Sequence, residues 1–575
     1  MGARTPGPRG RRPARGSTLG LWYRRQMPER TVGFGPAANP SDRTSHASLP
    51  DPVPADQIDG DAGTRPRFDP GRRLRLATCL LVLAIGITLV GWMLATPLVV
   101  APDEPSHVVQ ATAIVRGQFD RPHVTTKIGE LSYVQVPAWV RQVDVHSCVA
   151  LHPALTSECP KPVARGRVTA TMPTQFSNYP PFYFLWVGLP SLVTSGAPAV
   201  YVMRLFAVLA NTALLGLGLA LLLRYHPRRL PLAAALVAIT PMVLFLASVL
   251  NTSGLEISAA LAAWCGGLCI VAREDVPIRL AVWTSVAFVV FAWSRPISPV
   301  NVAVVVGVLA VLAGRVRLRT MWAGTSTRVV ACAVAGAVAV AAVLLMIGGS
   351  PDLLGFPTKP PLSFGAAFHL VVTLDPSLLR QAIGNFGSLN DPVPSWVAAA
   401  WTAMVAVLCA VGLVRSPRCR LALPLLVLAI LAMPVIFEIP QINAVGAFWQ
   451  GRYWLPLLVG IPLVAATGQA RRAHTRPRVE LAPRTATAVT AGGMVALGGL
   501  VAGAQVAAFL FALRSYTTGL GAPGARWAPP GGSGLVIAIF VSGEVLLVAT
   551  VSWLVTSRRD RSGDGPASLA IRPLR

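Results

Sequence analysis

Apolar runs of membrane-crossing length recur along this chain, and short Arg-rich segments punctuate them. A helix needs about 20 apolar residues to traverse the hydrocarbon core of a bilayer. The pattern predicts twelve spans, near residues 76–99, 200–223, 231–250, 255–272, 280–294, 297–314, 328–348, 396–414, 421–437, 453–469, 486–511 and 534–556. The expected fold class is all-α, a polytopic transmembrane helical bundle. Two long loops, 100–199 and 349–395, are expected to carry interfacial helices. The apolar stretch 181–195 is short and contains Pro190, so it reads as one of these rather than as a span. Prolines at 241, 296, 434, 456 and 462 fall in or beside spans, where a break is tolerated only against protein or a water-filled cavity.

Charge orients this bundle. Of 575 residues, 53% are hydrophobic and 13% charged, with a formal net charge of +26. A soluble protein carries about 25% charged residues. Lys127, Lys161 and Lys359 are the only lysines, and the arginines cluster between apolar runs and in the tails. That is the positive-inside pattern of a multi-pass membrane protein, and it removes the case for nucleic acid as a partner. Both termini are expected in the cytoplasm, and the loops 100–199 and 349–395 outside. Residues 1–72 lack apolar periodicity and are expected to be a disordered basic cytoplasmic tail. Residues 73–470 form the expected transmembrane core. A basic cytoplasmic loop, two further spans and a short tail complete 471–575. Arg11-Arg12 lies too far from the first apolar run to be an export signal, and that run is long enough to stay as an anchor. Most of the eight cysteines lie in apolar runs. Cys148 and Cys159 share the first external loop, where an oxidising exterior permits a disulfide.

The most informative segment is Asp103-Glu104-Pro105-Ser106-His107-Val108, just past the first span. Two adjacent carboxylates at a membrane surface need water or a partner. Asp103 can cap a helix running to about Arg116, with Pro105 in its first turn. Such a helix puts Asp103, His107 and Gln110 along one stripe, while Val108, Val109, Ala113 and Ile114 turn toward the membrane. The bland alternative is a capping aspartate and a solvated glutamate. Polar groups recur at other external ends: Tyr179 in Asn178–Tyr183, Glu256 after Asn251, Arg295, Glu438, and Arg452 in Phe448–Tyr453. Each arginine alone reads as a residue snorkelling to lipid phosphate. Together they suit transfer of a sugar from a lipid-linked phosphate. A carboxylate serves as general base, arginines hold the anionic leaving group, and an apolar groove holds the polyprenyl tail.

The segments Pro102–His107, Asn178-Tyr179-Pro180-Pro181, Asn251 with Glu256, Arg295-Pro296, Gly384-Asn385-Phe386-Gly387 and Gln450-Gly451-Arg452-Tyr453 span most of the chain. In order and spacing they resemble the GT-C superfamily of membrane glycosyltransferases. They more closely resemble a family of predicted bacterial membrane proteins related to it. The high Arg-to-Lys ratio fits an actinobacterial genome. The resemblance implies a polyprenyl-phosphate-sugar donor, an external active site in the plasma membrane, and a cell-envelope glycan or lipid acceptor. It implies Asp103 as catalytic carboxylate, with Glu104 assisting or binding a divalent metal ion, and the superfamily leaves metal use open. His107 is expected to orient or assist. Arg452, Arg295 and Arg204 are assigned to the donor phosphate by inference, with Glu256 and Tyr179 at the substrate. Two rivals remain: a transporter or lipid flippase, and a non-catalytic scaffold for envelope assembly.

Overall fold

The structure, a computed structural model, describes residues 70–119, 123–126, 129–144, 169–348, 355, 358–467, 483–519 and 527–556. Residues 1–69 of the expected basic tail 1–72, and the pair Cys148 and Cys159, lie outside the described residues, and residues 70–72 belong to the first helix. In chain order the helices are α1 (Pro70–Ala95), α2 (Glu104–Ile114), α3 (Ala138–Asp144), α4 (Phe182–Gly188), α5 (Gly196–Tyr225), α6 (Leu230–Ala238), α7 (Pro241–Ala247), α8 (Thr252–Ala272), α9 (Ile278–Ala292) and α10 (Ser298–Ala323). There follow α11 (Thr325–Gly348), α12 (Phe364–Ile383), α13 (Ser395–Arg415), α14 (Cys419–Phe437), α15 (Ile442–Val445), α16 (Leu455–Leu458), α17 (Gly460–Ala466), α18 (Pro483–Thr518) and α19 (Gly532–Thr556). The protein is an all-α, multi-pass membrane bundle.

Every predicted span is helical, but not every one is a single full-length helix. Among the described residues nine helices are long and apolar enough to cross a membrane, ten if α6 and α7 count as one. Twelve were expected. The third expected span breaks at Ile239-Thr240, and α6 and α7 meet at 68°. Pro241 opens α7, and the Thr240 hydroxyl accepts from the Val243 amide to cap it. The expected spans 280–294 and 453–469 are shorter apolar helices, the latter divided into α16 and α17 with Pro456 and Pro462 inside.

The first long loop also holds a sheet. Strands β1 (His123–Thr126), β2 (Gly129–Pro137) and β3 (Thr169–Thr174) pair antiparallel in the order β1-β2-β3. Their buried side packs with α2 and α4 into a second apolar core. Val108, Val109, Ala113 and Ile114 lie in it beside Val134, Val136 and Phe184. These α2 residues therefore face protein, which corrects the expectation that they rest on the membrane. In the second loop, β4 (Asn385–Phe386) and β5 (Asp391–Pro392) form a short hairpin after α12.

α19 lies along α1. Gly91 leaves no room for a Cβ against the Phe540 backbone, so the two helices approach closely there. Trp92 is enclosed by Phe245, Phe386, Phe509 and Phe540, and the last two rings stack with centroids 4.0 Å apart. The last two spans thus complete the wall around α1.

Candidate functional site

The chain leaves α1 through a strained turn. Val99 and Asp103 adopt φ values of 60° and 59°, a left-handed conformation unfavourable for residues with a Cβ. Their surroundings hold them there. The Asn251 amide donates to the Pro102 carbonyl at 2.7 Å, and the Ser388 hydroxyl to that of Val100 at 2.9 Å. Asp103 makes no side-chain cap to α2. The expectation of a capping aspartate is corrected, because the strained backbone directs the carboxylate elsewhere.

That carboxylate meets Arg452, with Oδ2 2.5 Å from Nη2. Asp103 remains 32% exposed while Arg452 is buried. Arg452 Nε and Nη1 have no partner among the described residues. Burial alone pushes the Asp103 carboxyl up, but the charge of Arg452, aided by that of Arg295, holds it below the usual carboxylate range.

Glu104, the next residue, is fully buried. Its Oε1 accepts from Arg204 Nε at 2.7 Å and from the Leu250 amide at 3.2 Å, and its Oε2 accepts from Arg204 Nη2 at 2.6 Å. Arg204 also donates to the carbonyls of Met93, Thr96 and Pro97, where α1 ends. This forked pair closes a helix terminus whose carbonyls otherwise lack donors. The expectation put Arg204 at the phosphate and Glu104 at the base or a metal. In the structure each is taken up by the other. Asp103 and Glu104 therefore do not present two free carboxylates to a cation. Among the described residues no three His, Cys, Asp or Glu side chains cluster as metal ligands.

Arg295 also lies against Tyr453. Its guanidinium lies 4.5 Å from the ring centroid, and that of Arg452 lies 5.2 Å from it. Arg295 Nη1 is 3.3 Å from Glu256 Oε2, while Ser298 and Asn301 donate to Glu256 Oε1. The Tyr179 hydroxyl neighbours Arg295, and burial raises its pKa. Arg295 Nε has no partner among the described residues. His107 is buried against Phe176, its ring centroid 4.3 Å away, and its Nε2 lies 3.3 Å from the Thr252 hydroxyl. Burial brings its pKa down to about 3, so its imidazole is neutral at physiological pH. Gln110, on the same stripe, holds the sheet instead: it donates to the Phe176 carbonyl and accepts from Thr174.

Two supports were not assigned from the sequence. Glu438 Oε1 accepts from the amides of Phe448 at 2.6 Å and Trp449 at 2.9 Å, which fixes the segment leading to Arg452. Gly451 lies flush against α12. Its amide donates to Gln381, and a Cβ there would collide with the Leu378 carbonyl. The sequence signal was the Gln450-Gly451-Arg452-Tyr453 segment and the acid preceding it.

Beyond Arg452, Trp454 and Leu455 open onto an apolar cavity of about 560 Å³, walled also by Trp401, Leu379, Ile430 and Pro462. Asp103, Arg295 and Arg452 do not line it; Trp454, two residues past Arg452 in the chain, does.

Comparison with curated proteins gave no match. The crystal structure of apo ArnT from Cupriavidus metallidurans resembles the chain at a TM-score of 0.40 and 13% identity, over 84% of this chain and 78% of that one. ArnT from the same organism bound to undecaprenyl phosphate gives 0.39 and 14%, over 84% and 79%. A family profile described as "Predicted membrane protein (DUF2142)" matches residues 87–461, which include every side chain of the site, and the chain belongs to that family.

Proposed function

We propose that this protein is a GT-C-type membrane glycosyltransferase. It moves a sugar from a polyprenyl-phosphate donor to a cell-envelope acceptor on the outer face of the plasma membrane. One observation carries the reading: a partly exposed Asp103 paired with Arg452, whose Nε and Nη1 are buried and without a partner among the described residues. Buried donors without partners are costly, and an anion that supplies acceptors relieves that cost. The donor's phosphate binds between Arg452 and Arg295, and its tail enters the cavity beside Trp454.

Binding of the phosphate draws Arg452 away from Asp103 and frees the carboxylate. Asp103 then takes the proton of the acceptor hydroxyl as its oxygen attacks the anomeric carbon. The bond from that carbon to the phosphate oxygen breaks, and the leaving phosphate's charge falls on Arg452 and Arg295. Configuration inverts. Tyr179 and Glu256 hold Arg295 in place, neutral His107 packs beneath the base, and the Glu104–Arg204 pair fixes the turn that carries it.

The test compares envelope glycans by mass spectrometry in a deletion strain complemented with the wild-type gene or with Asp103→Asn. The missing glycan returns with the wild type and not with the correctly inserted variant. Its return with Asp103→Asn removes Asp103 from the mechanism. A transporter reading draws on one feature, an acid within α19, and substrate flux in vesicles without covalent product would decide for it.

A further inference from the structure

Glu544 lies near the middle of α19, and Gln505 near the middle of the apolar stretch Gly492–Thr518 of α18. They are 3% and 2% exposed. Both border a cavity of about 20 Å³ shared with Thr88, Ile85, Ile239 and Leu244. Glu544 Oε2 and Gln505 Oε1 have no partner among the described residues. The Thr88 hydroxyl is a hydrogen-bond neighbour of the carboxyl. Gly543 permits this approach, since a Cβ there would collide with Thr88. The other end of Gln505 is occupied: Nε2 donates at 2.7 Å to the Ile239 carbonyl, at the break between α6 and α7.

An ionised carboxylate here would face one hydroxyl and one amide, with no ion pair to it among the described residues. Such a charge is among the costliest groups to bury in a membrane. A neutral acid fits: its hydroxyl is a donor, and Gln505 Oε1, which borders the same hollow, is an acceptor without a partner among the described residues. A water molecule needs a cavity of about 10–15 Å³ and two to four polar neighbours, and this hollow offers both. A hard cation takes about six or more oxygens, and only three polar side chains border the hollow.

We propose that Glu544, Gln505 and Thr88 bind a single water molecule against a protonated carboxyl. The result is a proton-holding site inside the membrane that ties α18 and α19 to the break between α6 and α7. The water donates to Gln505 Oε1 and accepts from the Glu544 hydroxyl. This site stands apart from Asp103 and does not depend on the glycosyl-transfer reading.

Infrared spectroscopy of the purified full-length protein tests it. At neutral pH the wild type shows a carboxylic-acid carbonyl band that shifts in D₂O and is absent from Glu544→Gln, which keeps a neutral polar group of the same shape. Gln505→Leu removes the water's second anchor and moves the band to higher frequency. Absence of a Glu544-dependent band overturns the protonated site, and so does its loss on adding sodium. An unchanged band in Gln505→Leu overturns the water bridge. A membrane-permeant carbodiimide gives an independent readout, because it modifies protonated buried carboxyls: labelled Glu544 supports the proposal, and failure to label it overturns it.

Discussion

Asp103 and Glu104 are adjacent, each meets an arginine, and the two pairs differ in every other respect. The Glu104–Arg204 pair is wholly excluded from solvent, and its arginine is surrounded by acceptors. The Asp103–Arg452 pair keeps its acid a third exposed and its arginine short of acceptors. A completed donor set marks a structural bond, whereas an incomplete one beside an opening marks a place where something else binds. An acid–arginine pair alone indicates neither.

The largest contrast is expected from removing each arginine. Arg204→Leu leaves Glu104 buried without a counter-charge and should cost about 3–5 kcal/mol, read as thermal unfolding in detergent. Arg452→Leu leaves a partly solvated aspartate and should cost no more than about 1 kcal/mol. Equal losses would erase the distinction between the pairs. Next in size is Asp103→Asn. It should lower transfer by about 10²–10⁴-fold, the usual contribution of a general base, with unfolding little changed. An active Asp103→Asn would move the chemistry elsewhere.

Acid sensitivity gives a smaller effect. The His107 pKa is 6.5 ordinarily and about 3 in the folded protein, chiefly through burial. Between those values the unfolded chain binds a proton that the folded chain does not, so stability falls as pH drops through that window. Melting temperature measured against pH should show this slope in the wild type and a shallower one in His107→Asn. Asp103 acts lower on the scale. Its folded pKa lies below 3.8, so its stabilising effect is present above that value and lost only in stronger acid. The smallest expected change is Ser388→Ala. It removes one hydrogen bond to the strained turn and should cost about 1 kcal/mol.

The spans were legible because lipid imposes long apolar runs that few other structures need. Pro241 was visible, but whether a proline bends a span or divides it depends on the neighbours that satisfy the freed backbone. The sheet had a signal that was passed over: buried Ser132, Val134 and Val136 alternate with more exposed Tyr133 and Gln135. For the site, the polar residues were readable and their pairing was not. Glu104 meets Arg204 across 100 positions, and Asp103 meets Arg452 across 349. No local pattern encodes which acid takes which base at such separations. Glu544 escaped notice because a lone acid barely changes the hydropathy of a long apolar run.

The cradle of carbonyls around the Arg204 guanidinium has a dynamic consequence. It rivets the C-terminal end of α1 to α5, so neither helix can swing without carrying the other. The apolar cavity takes no wall from either; its sides come from α6, α12, α13, α14, α16 and α17. The cavity can therefore change shape through those six helices while the riveted pair stays fixed.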